Sequence, residues 1–461
     1  MKARIFKNMC VWLLVAIPAI LHSQVAMNRD ASITAAISQI ATGNQKALID
    51  SLVKFVNRNN LSSTNHPTKG IGAACEYLYN KASSYIPQSG GRLSVEKVYY
   101  TVGRADADTR MRWKEDRTVK LCNVVATIHG SDETDNRVIA LLAHYDSRNG
   151  DGNDSIAPAP GANDNGSGVA CLMEITRLLS KVEIPITVQL MFLSGEEHGL
   201  YGAGHMANWA KEQGINLIAV INNDMIGNSN ASETNTHTNT VVRIFSENIP
   251  AVESEEMKRL RAYNSAENDS HSRQLARYIK ETGERYVDNM EVKLIYRNDR
   301  FGRGGDHTPF SHQGFPAVRI CEVNENYDRT HQYVREENGI LYGDLASGMD
   351  FEYLRKNTAV NLASVLNLSQ APPVPEKVKL ITSSLTNYCT LTWEPPSQGK
   401  KPDYYYVLIR ETDQSNWQKK ILVRDTQIKL PYSKDNYFFA VQSVDAEGHE
   451  SLASFAYGGR N

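Results

Sequence analysis

Four short apolar runs constrain this chain more than any other feature: Val138–Ala143, Thr187–Leu193, Leu217–Ile221 and Ala317–Ile320. Each is too short for a core helix and too evenly apolar for a strand with one wet face. Each therefore reads as a strand buried on both sides. Helical stretches separate them; in Val169–Ser180, for example, Leu172, Ile175 and Leu179 fall on one face. Buried strands alternating with helices specify an α/β sheet covered on both faces. Upstream, Ile37, Ile40, Leu48, Leu52 and Phe55 recur at helical spacing, as does Ala73–Tyr85, with Ser62–Pro67 as the loop between them. Leu93–Val102 alternates as a strand.

In open α/β sheets, ligands gather beyond the carboxyl ends of strands, and metal-type side chains cluster there in this chain. His144-Tyr145-Asp146 follows the first run, Ser194-Gly195-Glu196-Glu197 the second and Asn222-Asn223-Asp224 the third. Thr330-His331 lies beyond the fourth, and Gly161-Ala162-Asn163-Asp164-Asn165-Gly166 opens the helix at Val169. Two imidazoles and several carboxylates are enough to hold two divalent ions and leave one carboxylate to move protons. His144 and Asp146 fall on one side of an extended segment, so Asp146 is expected to accept the imidazole's second N–H. Asp164 reads either as a helix N-cap or as a carboxylate shared between two ions. Successive side chains diverge, so one of Glu196 and Glu197 can bind metal while the other faces substrate. The second imidazole is His307, His312 or His331, and spacing does not choose among them. Arg148–Pro160 reads as a solvated loop. A Gly-x-Ser-x-Gly turn and a His-Glu-x-x-His motif are both absent from the sequence, which disfavours a serine hydrolase and a zincin.

At 461 residues the chain has room for two or three domains. A net charge of -2 gives no reason to expect nucleic acid as a partner. Lys2, Arg4 and Lys7 before the apolar run Met9–Leu21 have the layout of a signal peptide over residues 1–23, and an exported protein, secreted or periplasmic, is expected. No further apolar segment is long enough to span a bilayer. Cys75, Cys122, Cys171, Cys321 and Cys389 are scattered and read as buried free thiols. Ala371–Pro375 reads as a stiff linker between a domain at 24–370 and an all-β sandwich at 376–461. The sandwich resembles a fibronectin type III module through Trp393, Tyr437 and Val444-Asp445 with Gly448. Its expected role is either to bind a protein or surface partner or to act as a passive stabilising spacer.

The ordered series His144-x-Asp146, Gly161–Gly168, Ser194-Gly195-Glu196-Glu197-x-Gly199-Leu200-x-Gly202, Asn223-Asp224-Met225-Ile226-Gly227, Asp306-His307-x-Pro309-Phe310 and Thr330-His331 resembles the co-catalytic zinc aminopeptidases, metallopeptidase family twenty-eight. The resemblance covers roughly residues 45–365. It implies a mixed sheet flanked by helices and two zinc ions, with His144 and Asp224 on one, Glu197 and His331 on the other, and Asp164 bridging. Glu196 is implied as general base and Asp146 as the buttress of His144, giving an aminopeptidase acting on peptides with a free N-terminus. Thr330 stands where some relatives have a tyrosine that helps stabilise the tetrahedral intermediate, so the oxyanion donor stays open. The alternatives on the same fold are a glutaminyl cyclase with one zinc and a carboxypeptidase, for which Arg303 or Arg319 would be the carboxylate clamp.

Overall fold

The computed structural model describes residues 27, 29–103 and 118–459. The expected signal peptide at 1–23 lies outside them. The main sheet has eight strands: β1 (Leu93–Val102), β2 (Val119–Ile128), β3 (Arg137–His144), β4 (Thr187–Leu193), β5 (Asn216–Asn223), β6 (Val241–Ser246), β7 (Glu291–Ile295) and β8 (Ala317–Glu322). Their spatial order is β1-β2-β4-β3-β5-β8-β6-β7. The centre, β4-β3-β5-β8, is parallel. β1 and β2 extend one side antiparallel, and β6 joins β8 antiparallel on the other. The sheet is mixed, as the resemblance implies.

Side-chain alternation divides each central strand between two cores. Ile139, Leu141 and Ala143 join a large core with Val169, Leu172 and Ile175 of α4 (Gly166–Leu179). Also on that side are α1 (Ala31–Ser38), α2 (Thr42–Leu52), α3 (Gly70–Ser83), α7 (His271–Tyr286) and α9 (Phe351–Gln370). Ala140, Leu142, Met191 and Leu193 face the opposite way, against Ala203, Met206 and Ala207 of α5 (Tyr201–Glu212) and Phe310 of α8 (His307–His312). A shorter α6 (Glu255–Asn264) lies before α7. Register then sets the site. Leu142 pairs with Asn222, and His144 with Leu193, so the ends of β3, β4 and β5 are level. Gly168 and Gly202 allow the close approach of helix starts to strand ends. A Cβ on Gly168 would sit 2.2 Å from the Asn223 carbonyl oxygen, and one on Gly202 2.2 Å from that of Ser194.

A small hairpin, β9 (Arg335–Glu337) and β10 (Ile340–Tyr342), follows the main sheet. The C-terminal strands are β11 (Glu376–Leu380), β12 (Cys389–Glu394), β13 (Tyr404–Glu411), β14 (Lys419–Val423), β15 (Gln427–Leu430), β16 (Tyr437–Val444), β17 (Ser454–Phe455) and β18 (Tyr457–Gly458). They form two four-stranded sheets, β15-β12-β11-β18 and β14-β13-β16-β17, around Trp393, Tyr405, Val407 and Val441. Buried ion pairs dock this sandwich on the α/β unit. Asp269 accepts from Arg277 of α7 at 2.9 Å and from Arg410 of β13 at 2.6 Å, and all three side chains are at most 2 % exposed. Glu450 pairs with Arg285 and accepts from Asn367. Removing one partner of a buried pair leaves the others uncompensated. Asp269→Ala, which strands two guanidinium groups, is therefore expected to cost about 3–5 kcal/mol, read as a lower urea midpoint; an unchanged midpoint would contradict this role.

His449 lies between Asp445 (2.8 Å) and Asp30 (2.9 Å). Burial disfavours its charge, but the two carboxylates outweigh burial and raise its pKa. Its stabilising contribution is thus fully present below the unfolded imidazole value and lost as pH rises through the higher folded value. A His449→Asn variant is expected to flatten that limb of a melting-temperature profile against pH.

Candidate metal centre

The metal-type residues meet where β3, β4 and β5 end together. His144 is the last residue of β3, and its Nδ1 lies 3.1 Å from the main-chain carbonyl oxygen of Asp146. A carbonyl only accepts, so Nδ1 carries the proton and Nε2 presents its lone pair. Nε2 is buried without a hydrogen-bond partner, 3.3 Å from Asp164 Oδ1 and 3.9 Å from Asp224 Oδ1. The Asp146 carboxylate is 3.5 Å from Nδ1, so it is the carbonyl that holds the ring. The carboxylate instead accepts from Asn60 Nδ2 (2.7 Å) and from the amides of Glu196 (3.3 Å) and Glu197 (3.1 Å). Asp146 thereby fixes the loop after β4 more directly than it fixes His144.

Asp164 is not the cap of α4. That role falls to Asn165, whose Oδ1 accepts from the Gly168 amide at 3.0 Å. Asp164 is left with Oδ1 toward His144 and Oδ2 toward His331, at 2.9 Å from His331 Nε2. His331 Nε2 is also 3.0 Å from Glu197 Oε1. The donor atoms of His144, Glu196 and Asp224 all lie within 4.8 Å of one another, and so do those of Asp164, Glu197 and His331. His307 points elsewhere: its Nε2 is 2.9 Å from the Asn298 carbonyl. His312 ends α8. The Thr330 hydroxyl is engaged with Met225 Sδ at 3.8 Å.

Charge is concentrated in this pocket. Burial opposes charge on Asp164, but His144 and His331 hold its carboxyl well below the usual range. Burial likewise opposes charge on Glu197, which His331 and Arg148 hold low. On Glu196, burial together with the charges of Glu197, Asp224 and Asp306 outweighs His144 and pushes the carboxyl well above the usual range. Asp306 is pushed up to about 8, first by burial and then by Asp146 and Asp224. An orphaned imidazole nitrogen amid converging carboxylates is what a divalent cation satisfies, and imidazole with carboxylate suits zinc. The residues fit the ion.

Several supporting residues carry no motif signal. Arg148 donates Nε to Glu197 Oε2 at 2.8 Å, and its Nη2 lies 2.7 Å from His331 Nδ1. Arg319, wholly buried, lies 3.1 Å from Asp224 Oδ2 and binds Asp299 at 3.0 Å. It is therefore engaged behind a candidate ligand and is no carboxylate clamp; Arg303 is exposed. Asp344 accepts from the amides of Asn163 (2.9 Å) and Asp164 (2.7 Å). Arg58 donates to the carbonyls of Tyr145 (2.7 Å) and Gly161 (2.9 Å), joining the loops of His144 and Asp164. Arg148 could have been picked out by its nearness to the His144 motif, and the sequence points to Arg319 only for a different role, as a carboxylate clamp.

Comparison with known proteins agrees. The profile of peptidase family M28 matches residues 123–340. A protein of Leptosphaeria maculans named "probable zinc metalloprotease" is 40 % identical over 428 residues, covering 93 % of this chain and 97 % of its own length. Another of that name, from Pyricularia oryzae, is 38 % identical over 438 residues, covering 93 % of this chain and 85 % of its own. The crystal structure of Legionella pneumophila LapA matches with a TM-score of 0.51 at 19 % identity, covering 76 % of this chain and 79 % of that one. LapB of the same organism gives 0.51 at 17 % identity, covering 75 % and 76 %. At that identity the two structures speak for the fold alone. The family match, the extent of the metalloprotease relatives and the imidazole–carboxylate cluster lead to one conclusion: the chain belongs to peptidase family M28, the zinc metallopeptidases.

Proposed function

We propose that the chain is an exported exopeptidase that holds two zinc ions and releases N-terminal residues from peptides. One observation carries the reading: the two oxygens of Asp164 are divided between His144 and His331. In this assignment His144 and Asp224 would hold one ion and Glu197 and His331 the other, with Asp164 available to both. Zinc bound there would supply Lewis acidity and lower the pKa of water. The remaining chemistry belongs to the chain. Glu196 accepts a proton from the attacking water and returns it to the leaving nitrogen. Asp146, holding both glutamate amides, keeps Glu196 and Glu197 on their separate tasks. The buried carboxylates favour the ammonium of a free substrate N-terminus.

We read the chain as a catalytic domain at 24–370, a linker at 371–375 and a C-terminal sandwich at 376–461 that is a fibronectin type III-like brace. Its buried ion pairs with the α/β unit support bracing over loose tethering. A protein or surface partner is left to its exposed face.

The test is a zinc count on the purified chain with turnover of aminoacyl, N-acetylated and N-terminal-Gln peptides. Two zincs per chain and release of N-terminal residues, abolished by N-acetylation, is the expected result. One zinc with cyclisation of Gln, or release of C-terminal residues, would sink the reading. Protein recovered outside the cytoplasm and starting near residue 24 is expected from export; retention of residues 1–23 in the cytoplasm would contradict it.

A further inference from the structure

Cys75 and Cys122 are far apart in sequence, but the fold places them side by side. Cys75 is on the buried face of α3 and Cys122 on β2, and the residues are 4 % and 6 % exposed. The two side chains are close enough to interact, with the Cys122 Sγ–H donating to the Asn123 carbonyl at 3.4 Å. Both line one cavity of about 60 Å³ together with Ile71, Leu121 and Tyr145. Cys171, Cys321 and Cys389 are buried elsewhere, in α4, β8 and β12.

We propose that Cys75 and Cys122 form a redox-modifiable pair that closes to a disulfide clamping α3 onto β2. The co-reactant is a small-molecule disulfide. The Cys75 thiolate attacks one of its sulfurs, breaking that S–S bond and releasing one thiol. Cys122 then attacks Cys75 Sγ of the mixed disulfide. The second small thiol leaves, and the two protons of the cysteines end on the two released thiols. The environment orders these roles. Contact with Cys122 holds the Cys75 thiol below its ordinary pKa against burial, whereas the same contact and burial push Cys122 up. The lower thiol is the attacking one.

The clamp is placed directly behind the metal centre. The Cys122 main-chain carbonyl accepts from the Tyr145 hydroxyl at 2.7 Å and from Ser194 Oγ at 2.8 Å. Tyr145 lies between His144 and Asp146, and Ser194 begins the turn bearing Glu196 and Glu197. Joining α3 to β2 at this point braces the strand that holds both loops. The pairing does not depend on which peptide bond the enzyme cleaves.

The experiment equilibrates the full chain with oxidised or reduced glutathione, then denatures it, alkylates it and maps its peptides by mass spectrometry. The oxidised sample is expected to have two fewer alkylated thiols and a cross-linked peptide joining Cys75 to Cys122. Its melting temperature is expected to be higher by about 5 °C, and Cys75→Ser is expected to abolish both the cross-link and the shift. Full alkylation of every cysteine after oxidation, or a cross-link through any other pair, would overturn the proposal. The alkylation readout is made on the unmodified chain, so it stands even where a variant folds poorly.

Discussion

Glu196→Gln is expected to lower kcat by about 10²–10⁴-fold, the usual contribution of a positioned general base, while zinc content and the fold stay as they are. The amide keeps the shape of the carboxylate but cannot accept a proton. Its backbone contact to Asp146 is unaffected, because the Glu196 amide makes it. The expected signature is a kcat loss with little change in KM. A zinc-replete variant of near-normal turnover would move the proton-transfer role elsewhere, and Asp306 would be the next group to test: it is buried and its carboxylate oxygens have no hydrogen-bond partner. Glu197→Gln makes the control. Glu197 is bound by Arg148 and His331, so its loss is expected to show first as lost zinc.

Removing the ions is expected to abolish turnover altogether and to lower the melting temperature. Asp146, Asp164, Glu196, Glu197, Asp224 and Asp306 crowd one pocket in which Arg148 and Arg319 are the permanent cations. Zinc present at 100 times its dissociation constant would add about 2.7 kcal/mol per site through mass action. Chelation removes that contribution and leaves like charges facing one another. Added zinc is expected to restore both activity and melting temperature in the unmodified chain. In Asp164→Ala it is expected to restore neither, because both proposed ion sites lose the same ligand. Activity that survives exhaustive chelation, or an Asp164→Ala chain that still holds two zincs, would rule out the shared-carboxylate arrangement.

Much of this protein is legible before folding is considered. The runs at Val138, Thr187, Leu217 and Ala317 became β3, β4, β5 and β8, because a short, doubly buried strand leaves an unbroken apolar signature. Strands β6 and β7, beyond β8, carried no such mark: each has a mixed burial pattern with polar residues among the apolar ones. Strand β2 is almost wholly buried, yet Lys120 and Asn123 interrupt its apolar pattern. The expected division between His144 and Asp146 was altered for a local reason. The Asp146 carbonyl lies nearer Nδ1 (3.1 Å) than the carboxylate does (3.5 Å), which leaves the carboxylate to hold the next loop.

The sequence by itself determined the chemistry available: two imidazoles and a set of carboxylates at strand ends, the α/β class, and the polypeptide segments that carry them. These follow from residue type and periodicity, which are local properties. Only the tertiary structure decided which groups face one another. The level ends of β3, β4 and β5 bring His144 to Asp224, and the return of the chain after β8 sets His331, not His307, against Asp164 and Glu197. The same folding places Arg148 and Arg319 behind candidate ligands, and Cys75 beside Cys122. Such pairings join residues from separate segments through strand register and helix packing, and no periodicity along the chain encodes a contact across it.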